Sequence, residues 1–312
     1  MGKSTNNQNL NNANKMKIDE FYTRMIDIEK EVFLYKDYFK NKKVLCNCDD
    51  YRISNFVNFF ATNFNTLNLK QLTAISYTKK QKTEIIIIKK QINNFINAVK
   101  TKKDIKIITT NHNGDFRNKE SIELLRKNDV VVTNPPFSLF RDFLDILIEN
   151  NKDFLIIGNC NVTSNKKCFQ YISSGKISIG TNCVRKFILP NNKISESARS
   201  YWFLNIDTKN KKQFLKLEKY YDKNNYLEYD NFHAIEIEKV KDIPLNYSGI
   251  MGVPITFLEK FNSSQFEILG IDLDVKNGIL DIAKSDWKGK LDRAYLNGKR
   301  LYSRILIKNK DI

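Results

Sequence analysis

Apolar positions along this chain follow two periods. At 26–39, "IDIEKEVFLYKDYF", they recur at helical spacing, with charged residues on the opposite face. Shorter runs behave differently. "KKVLCNC" (42–48), "LKQLTAISY" (69–77), "IKIITT" (105–110), "DVVVT" (129–133), "DFLIIGN" (153–159), "KISIG" (176–180) and "SYWFLNI" (200–206) each predict a buried strand. Between them, 54–64, 121–127 and 138–150 predict helices, the first with Ser54 and the last with Ser138 as N-cap. Strands alternating with helices imply an α/β fold with a doubly wound, mainly parallel sheet of seven strands.

Two regions depart from that rhythm. Between 79 and 103 there are eight lysines against one glutamate, around "EIIIIK". This stretch reads as an inserted hairpin or an inserted helix pair, and as a DNA-facing patch or a merely solvated surface. Beyond residue 208 the alternation weakens. The tail from 281 carries nine Lys and Arg against four Asp, so 209–312 reads as a separate, smaller basic region. Residues 1–15 read as a disordered polar leader. No internal repeat is visible.

Charge sharpens the picture. The chain of 312 residues carries 52 Lys and Arg against 35 Asp and Glu, a net +17, which points to a polyanionic partner. An A/T-rich coding sequence would give a similar Lys, Asn and Ile bias. No apolar run approaches the roughly 18 residues of a membrane span. The five cysteines (46, 48, 160, 168 and 183) are an odd number, which favours free thiols in a reducing, cytoplasmic setting. Cys46 and Cys48 are too closely spaced for a zinc pair, and His112 and His233 are the sole imidazoles, so no metal is expected. Both histidines read as surface or turn residues, and Trp202 as core.

The sharpest local feature is "DVVVTNPPFSLF" (129–140). Two consecutive prolines donate no backbone hydrogen bond and disfavour helix at the residue before them. Pairing therefore stops at Asn134, at the carboxyl end of a strand, the edge where open α/β sheets bind ligands. Adenine's exocyclic nitrogen is a poor nucleophile because its lone pair is delocalised into the ring. An Asn side-chain carbonyl and the adjacent Pro carbonyl can accept its two protons, and an aromatic two positions later can stack on an extruded base. Asn134, Pro135, Pro136 and Phe137 supply that set. "IDEFYT" (18–23) brings Phe21 and Tyr22 to line a nucleoside pocket, with Thr23 to donate to a carboxylate. "GDF" (114–116) places Asp115 to accept from an adenine amino group, with Phe116 against the ring. No Pro-Cys pair occurs, which argues against methylation at a cytosine ring carbon.

With "DEFYT", "VLCNCDD", "SNF", "NGDFR", "DVVVTNPPFSLFR", "FLIIGN", "KDIP" and "GIMGVPITFLEKF" in this order over 19–261, the chain resembles the EcoRI-type family of adenine-specific DNA methyltransferases. That resemblance implies a Rossmann-like methyltransferase sheet in a catalytic domain over 16–208, and a target-recognition role for 209–312. It implies S-adenosylmethionine as cofactor, held by Phe21, Tyr22, Thr23, Asp49, Asp50, Asp115 and Phe116, with Asn134, Pro135, Pro136 and Phe137 as the catalytic group. Double-stranded DNA would be the partner. The enzyme would serve a restriction-modification system, beside a nuclease that cuts the same site without forming a stable complex, or act as an orphan methylase. Two departures stand out. The loop after the first strand, "CNCDDYR", has no glycine, and the second strand ends in "ISYTKK", without the acid expected at ribose hydroxyls. Asp49, Asp50 or another loop would then do that work. The same tetrad also serves RNA and protein-glutamine methyltransferases, and a catalytically inactive DNA-binding regulator could keep the fold.

Overall fold

A computed structural model describes residues 22–206 and 214–310, in two compact units. Phe21 and the leader 1–15 lie outside the described residues. The first unit, 22–169 with 177–206, is built on one sheet. Its strands are β1 (Tyr22–Thr23), β2 (Lys43–Cys46), β3 (Gln71–Ile75), β4 (Glu84–Ile88), β5 (Lys106–Thr109), β6 (Val130–Thr133), β7 (Asp153–Asn159), β8 (Ser178–Ile188) and β9 (Ile194–Leu204). Their spatial order is β1-β8-β9-β7-β6-β2-β3-β4-β5.

This corrects the expected seven-stranded, mainly parallel sheet. Among the described residues this sheet has nine strands, and adjacent parallel pairing in it is confined to β3-β2-β6-β7. The two flanks are antiparallel. Connection length explains why. The eight residues 76–83 between β3 and β4 are too few for the dozen or so that a parallel crossover needs, so β4 returns beside β3. Likewise the short link 189–193 forces β8 and β9 into a hairpin, and both run well beyond the segments predicted at 176–180 and 200–206. The insert at 79–103 is neither a hairpin nor a helix pair. It contributes β4 to the sheet and then helix α3 (Phe95–Thr101).

The remaining helices before residue 177 are α1 (Met25–Val32), α2 (Asn55–Thr62), α4 (Lys119–Arg126), α5 (Phe140–Glu149) and α6 (Lys166–Ser173), with the division between the units falling within α6. Ser54 caps α2 as its position predicts, accepting from the amides of Phe56 (3.1 Å) and Val57 (3.3 Å). The N-cap position of α5 is Leu139, not Ser138. The prolines are followed by a 3-10 turn, Phe137–Leu139, and Leu139 stands at the N-cap without a side-chain bond. Trp202 is fully buried, with Phe56, Phe59 and Phe187 in the same core.

Glu31 of α1 is completely buried yet fully engaged. It accepts from the amides of Thr181 (2.9 Å) and Asn182 (2.8 Å) and from the Tyr35 hydroxyl (2.7 Å). The register of β8 against β9 shifts at the same place, between Ile179 and Cys183. The carboxylate thus takes up the amides that the bulge frees.

The second unit, 214–310 with Gln170–Lys176, holds a four-stranded sheet ordered β10 (Ile235–Glu236), β11 (Met251–Pro254), β15 (Arg304–Asn309) and β12 (Phe266–Ile271). Helix α7 (Asp272–Lys276) and the ribbon of β13 (Tyr295–Leu296) and β14 (Lys299–Arg300) complete it. Tyr229, Phe232, Ala234 and Leu306 form its core. Arg304 and Glu236 make a largely buried two-pronged pair at 2.6–3.1 Å. Among the described residues no helix is long and apolar enough to cross a membrane.

Gly158 of β7 faces Phe140, the first residue of α5, so closely that an added Cβ would lie 2.4 Å from the ring. Gly158→Ala should therefore cost about 1–3 kcal/mol, read as a lower midpoint in denaturant titrations. An unchanged midpoint would show that α5 can shift freely.

Candidate active site

Strands β2, β3, β5 and β6 end on one edge of the sheet, and the loops that leave them enclose a cavity of about 440 Å³. The polypeptide reaches it from six places. From β1 come Tyr22 and Thr23, and from the end of β2 come Asn47 to Asp50. Ser76 and Tyr77 follow β3, Gly114 to Arg117 follow β5, and Asn134 to Phe137 follow β6. Ile53 to Phe56, at the start of α2, complete the wall. Tyr22, Thr23, Asp49, Asp50, Asp115, Phe116, Asn134, Pro135, Pro136 and Phe137 were all singled out in sequence, and every one lines this cavity. Phe21 cannot be placed, lying outside the described residues.

The acidic residues differ in what they do. Asp49 is buried, and both its oxygens are engaged. Ser54 Oγ donates to Oδ1 at 2.6 Å, and Thr133 Oγ1 donates to Oδ2. Its backbone amide donates to Ile75 O at 3.2 Å. Burial pushes its carboxyl up to about 6 against the pull of the two hydroxyls. Asp50 is half-buried and accepts from the Arg52 amide (3.0 Å) and guanidinium (3.1 Å). Arg52 also pairs with Glu84, which β4 brings beside the end of β3 and which accepts from Tyr51 Oη at 2.9 Å. Asp115 is gripped by Arg117 through two contacts, Nε to Oδ1 (2.9 Å) and Nη2 to Oδ2 (2.6 Å). That pairing holds its carboxyl below the ordinary range, so it stays an acceptor at neutral pH.

The aromatics are set by the core beneath. Phe116 is buried and meets Phe143 of α5 in a T-shaped contact at 5.0 Å. Phe137 is half-buried, and its ring meets Phe187 of β8 at 5.9 Å and 82°. Both rings are oriented before any ligand arrives.

Sequence reasoning passed over Asn47 and Cys48 between the strand and the acidic pair. It likewise passed over Ser76, Tyr77 and Arg117. Asn47 is only 3% exposed, and among the described residues neither its amide nitrogen nor its oxygen has a hydrogen-bond partner; the Thr23 hydroxyl, equally buried, has none there either. Buried polar atoms are rarely left unmatched, and an orphaned pair on a cavity wall marks where a ligand's polar groups belong. The signal was present in sequence as a polar residue closing an apolar run, but its burial was not legible there.

His112 belongs to the turn after β5, where Nδ1 accepts from the Gly114 amide at 3.2 Å, and His233 is exposed beside Glu228 at 2.8 Å. None of the five cysteines, all of them among the described residues, is in a disulfide. Among the described residues no group of three His, Cys, Asp or Glu side chains could hold a metal ion.

The family described as adenine-specific methyltransferase EcoRI matches residues 9–310. The chain belongs to this family. Its relatives include the Type II methyltransferase M.EcoRI of Escherichia coli, 40% identical over 99% of both chains. Two further relatives come from Mycoplasma. M.MgeORF184P of Mycoplasma genitalium is 36% identical over 97% of this chain and 99% of its own. M.MpnI of Mycoplasma pneumoniae is 35% identical over 96% and 98%. The EcoRI-family chain is thus a methyltransferase whose cavity contains the Asn-Pro-Pro-Phe turn.

The raised carboxyl of Asp49 has a readable consequence. The folded protein keeps this proton up to about pH 6, whereas the unfolded chain releases it near 4. Its contribution to stability is therefore full below pH 4 and is lost as pH rises through 6. In Asp49→Asn that dependence disappears. The melting temperature of the variant minus that of the wild type should become more positive between pH 4 and 7. Parallel profiles over that range would mean that Asp49 titrates like an exposed carboxylate.

Proposed function

We propose that this chain transfers a methyl group from S-adenosylmethionine to the exocyclic amino group of an adenine in duplex DNA. One observation carries the reading: the Asn134–Phe137 turn, at the carboxyl end of β6, lines the same cavity as Tyr22, Thr23, Asp115 and Phe116. A base-binding turn and a set of nucleoside-binding groups thereby share one chamber.

The cofactor fits the residues present. A volume of about 440 Å³ lies within the range for ligands of its size. The unmatched amide of Asn47 and hydroxyl of Thr23 supply donors and acceptors for its polar end. Asp115, kept ionised by Arg117, is an acceptor for an adenine amino group, and the Phe116 ring offers an apolar wall. Tyr22 and Asp50 line the same space. Asp49 is already committed to Ser54 and Thr133, so its part is to hold the floor of the chamber rather than to reach a ribose. When bound, S-adenosylmethionine supplies an electrophilic methyl group on its sulfonium sulfur.

The chain's own groups prepare the nucleophile. Target adenine must leave the duplex to reach such a chamber. Asn134 Oδ1 and the Pro135 carbonyl accept the two amino protons and draw the nitrogen lone pair out of conjugation. Neither Pro135 nor Pro136 has a backbone N–H to compete for those acceptors. Phe137, steadied against Phe187, stacks on the extruded base. The leaving amino proton passes to solvent after transfer, and no covalent intermediate forms on the protein. In this reading 16–208 carries the reaction, and the basic region 209–312 grips phosphates and reads base edges. A partner nuclease would recognise the same sequence independently.

Purified protein should transfer labelled methyl to adenine-containing duplexes, and duplex DNA should compete better than structured RNA. No transfer to any duplex, or preferential loss to RNA competitor, would overturn the reading. Asn134→Ala should bind cofactor within about threefold of wild type by calorimetry yet lose about 100-fold or more in turnover, the scale seen when one preorganised polar group is removed. An undiminished rate would remove Asn134 from its role. Asn47→Ala and Thr23→Val should each weaken cofactor binding about tenfold, the effect of one lost hydrogen bond, while the ligand-free protein keeps its melting temperature. Unaltered affinity in both would place the polar end of the cofactor elsewhere.

A further inference from the structure

The basic stretch 79–103 is divided by the sheet into two groups with different surroundings. Strand β4 runs antiparallel to β3, with Ile75 opposite Ile85 and Leu72 opposite Ile88. The residues before β4 consequently sit at the carboxyl edge of β3, which borders the cavity, and those after it sit at the far edge. A five-residue strand separates them by about 17 Å. Lys79, Lys80 and Lys82 belong to the cavity edge; Lys89, Lys100 and Lys103 do not.

The loop that carries the first group is firmly built. Thr83 Oγ1 donates to Ser76 O at 2.9 Å and closes its base. The Thr78 amide donates to Asn113 O (2.8 Å) and the Thr83 amide to His112 O (3.0 Å), fastening it to the turn after β5. In that turn Gly114 has φ +79°, and a Cβ there would lie 2.2 Å from Ser76 O, so only glycine allows this approach. Tyr77 lines the cavity yet is 57% exposed, which puts its ring at the mouth. Chain geometry keeps the Lys79 backbone within about 7 Å of it.

The charges on this loop are uncommitted. Arg52 and Arg117, the other cations at the rim, are taken up by Asp50, Glu84 and Asp115. Lys79, Lys80 and Lys82 are exposed, and among the described residues none makes an ion pair. From 76 to 83, "SYTKKQKT", there is no acidic residue.

We propose that the loop 77–82 is a phosphate clamp for the DNA strand that carries the target adenine. Its lysines hold the backbone beside the extruded nucleotide, and Tyr77 forms the lip over which the base enters. The proposal rests on the duplex-DNA reading above and names which part of a broadly basic surface meets the reacting strand. The second group of lysines is the internal control, having the same sequence neighbourhood and the wrong end of the sheet.

The test compares two triple variants of the full chain, Lys79→Ala/Lys80→Ala/Lys82→Ala and Lys89→Ala/Lys100→Ala/Lys103→Ala. Each is titrated with a duplex it methylates, from 50 to 200 mM salt, and separately with S-adenosylmethionine by calorimetry. Each phosphate contact contributes about 0.9 to the slope of log affinity against log salt. The cavity-edge variant should lose about two to three from that slope, with cofactor affinity unchanged, and the far-edge variant should lose less than one. Equal slopes for wild type and the cavity-edge variant, or equal losses in both variants, would overturn the clamp while leaving the methyltransferase reading intact. A wild type that binds RNA but no duplex would overturn both.

Discussion

The active edge of this protein depends on one buried carboxylate. Asp49 leaves the end of β2 and is held by a hydroxyl from the first turn of α2 and another from the last residue of β6. Its own amide reaches the end of β3. Three strand ends and a helix start thereby converge on a single residue. Burying it is costly, and the two hydroxyls offset that cost. Thr133 is followed directly by Asn134, so the bond that stabilises the carboxylate also fixes where the Asn-Pro-Pro-Phe turn begins.

The same arrangement explains how the chamber does without a glycine-rich loop after β2. A loop of small residues lets a ligand approach backbone; here "CNCDD" offers side chains instead. Asn47 turns an unmatched amide toward the cavity wall, and Asp49 braces the floor. The missing acid after β3 is handled in a similar way. Glu84 comes in from an antiparallel neighbour, but Arg52 and Tyr51 occupy it, so it supports the rim rather than facing the ligand.

Much of the fold was legible because the central strands are short, mostly apolar runs bounded by polar turns, and the segment 153–159 matches β7 residue for residue. The place of the candidate site was legible because a doubled proline can end a strand in few ways, and all the described candidates line one cavity. What escaped was set by tertiary context. "EIIII" has the composition of a strand, but nothing local says that it returns antiparallel beside β3 rather than forming a separate hairpin. The full lengths of β8 and β9 were hidden because outward-facing polar residues such as Thr181, Arg185 and Glu196 interrupt the apolar signal. Ser138 looked like a cap by position, yet the turn after Pro136 is 3-10 and moves the helix start beyond it. The burial of Asn47 depends on neighbours far away in sequence, so no local pattern could report it.

The buried Glu31 has an effect on association as well as on folding. A strand near the margin of a sheet that shows free amides can recruit a strand from another molecule. In β8 the amides of Thr181 and Asn182, which the bulge turns away from β9, are already spent on Glu31 inside the same chain. Growth of the sheet by addition of a foreign strand is obstructed at that point, and a long hairpin margin is kept from becoming a site of self-assembly.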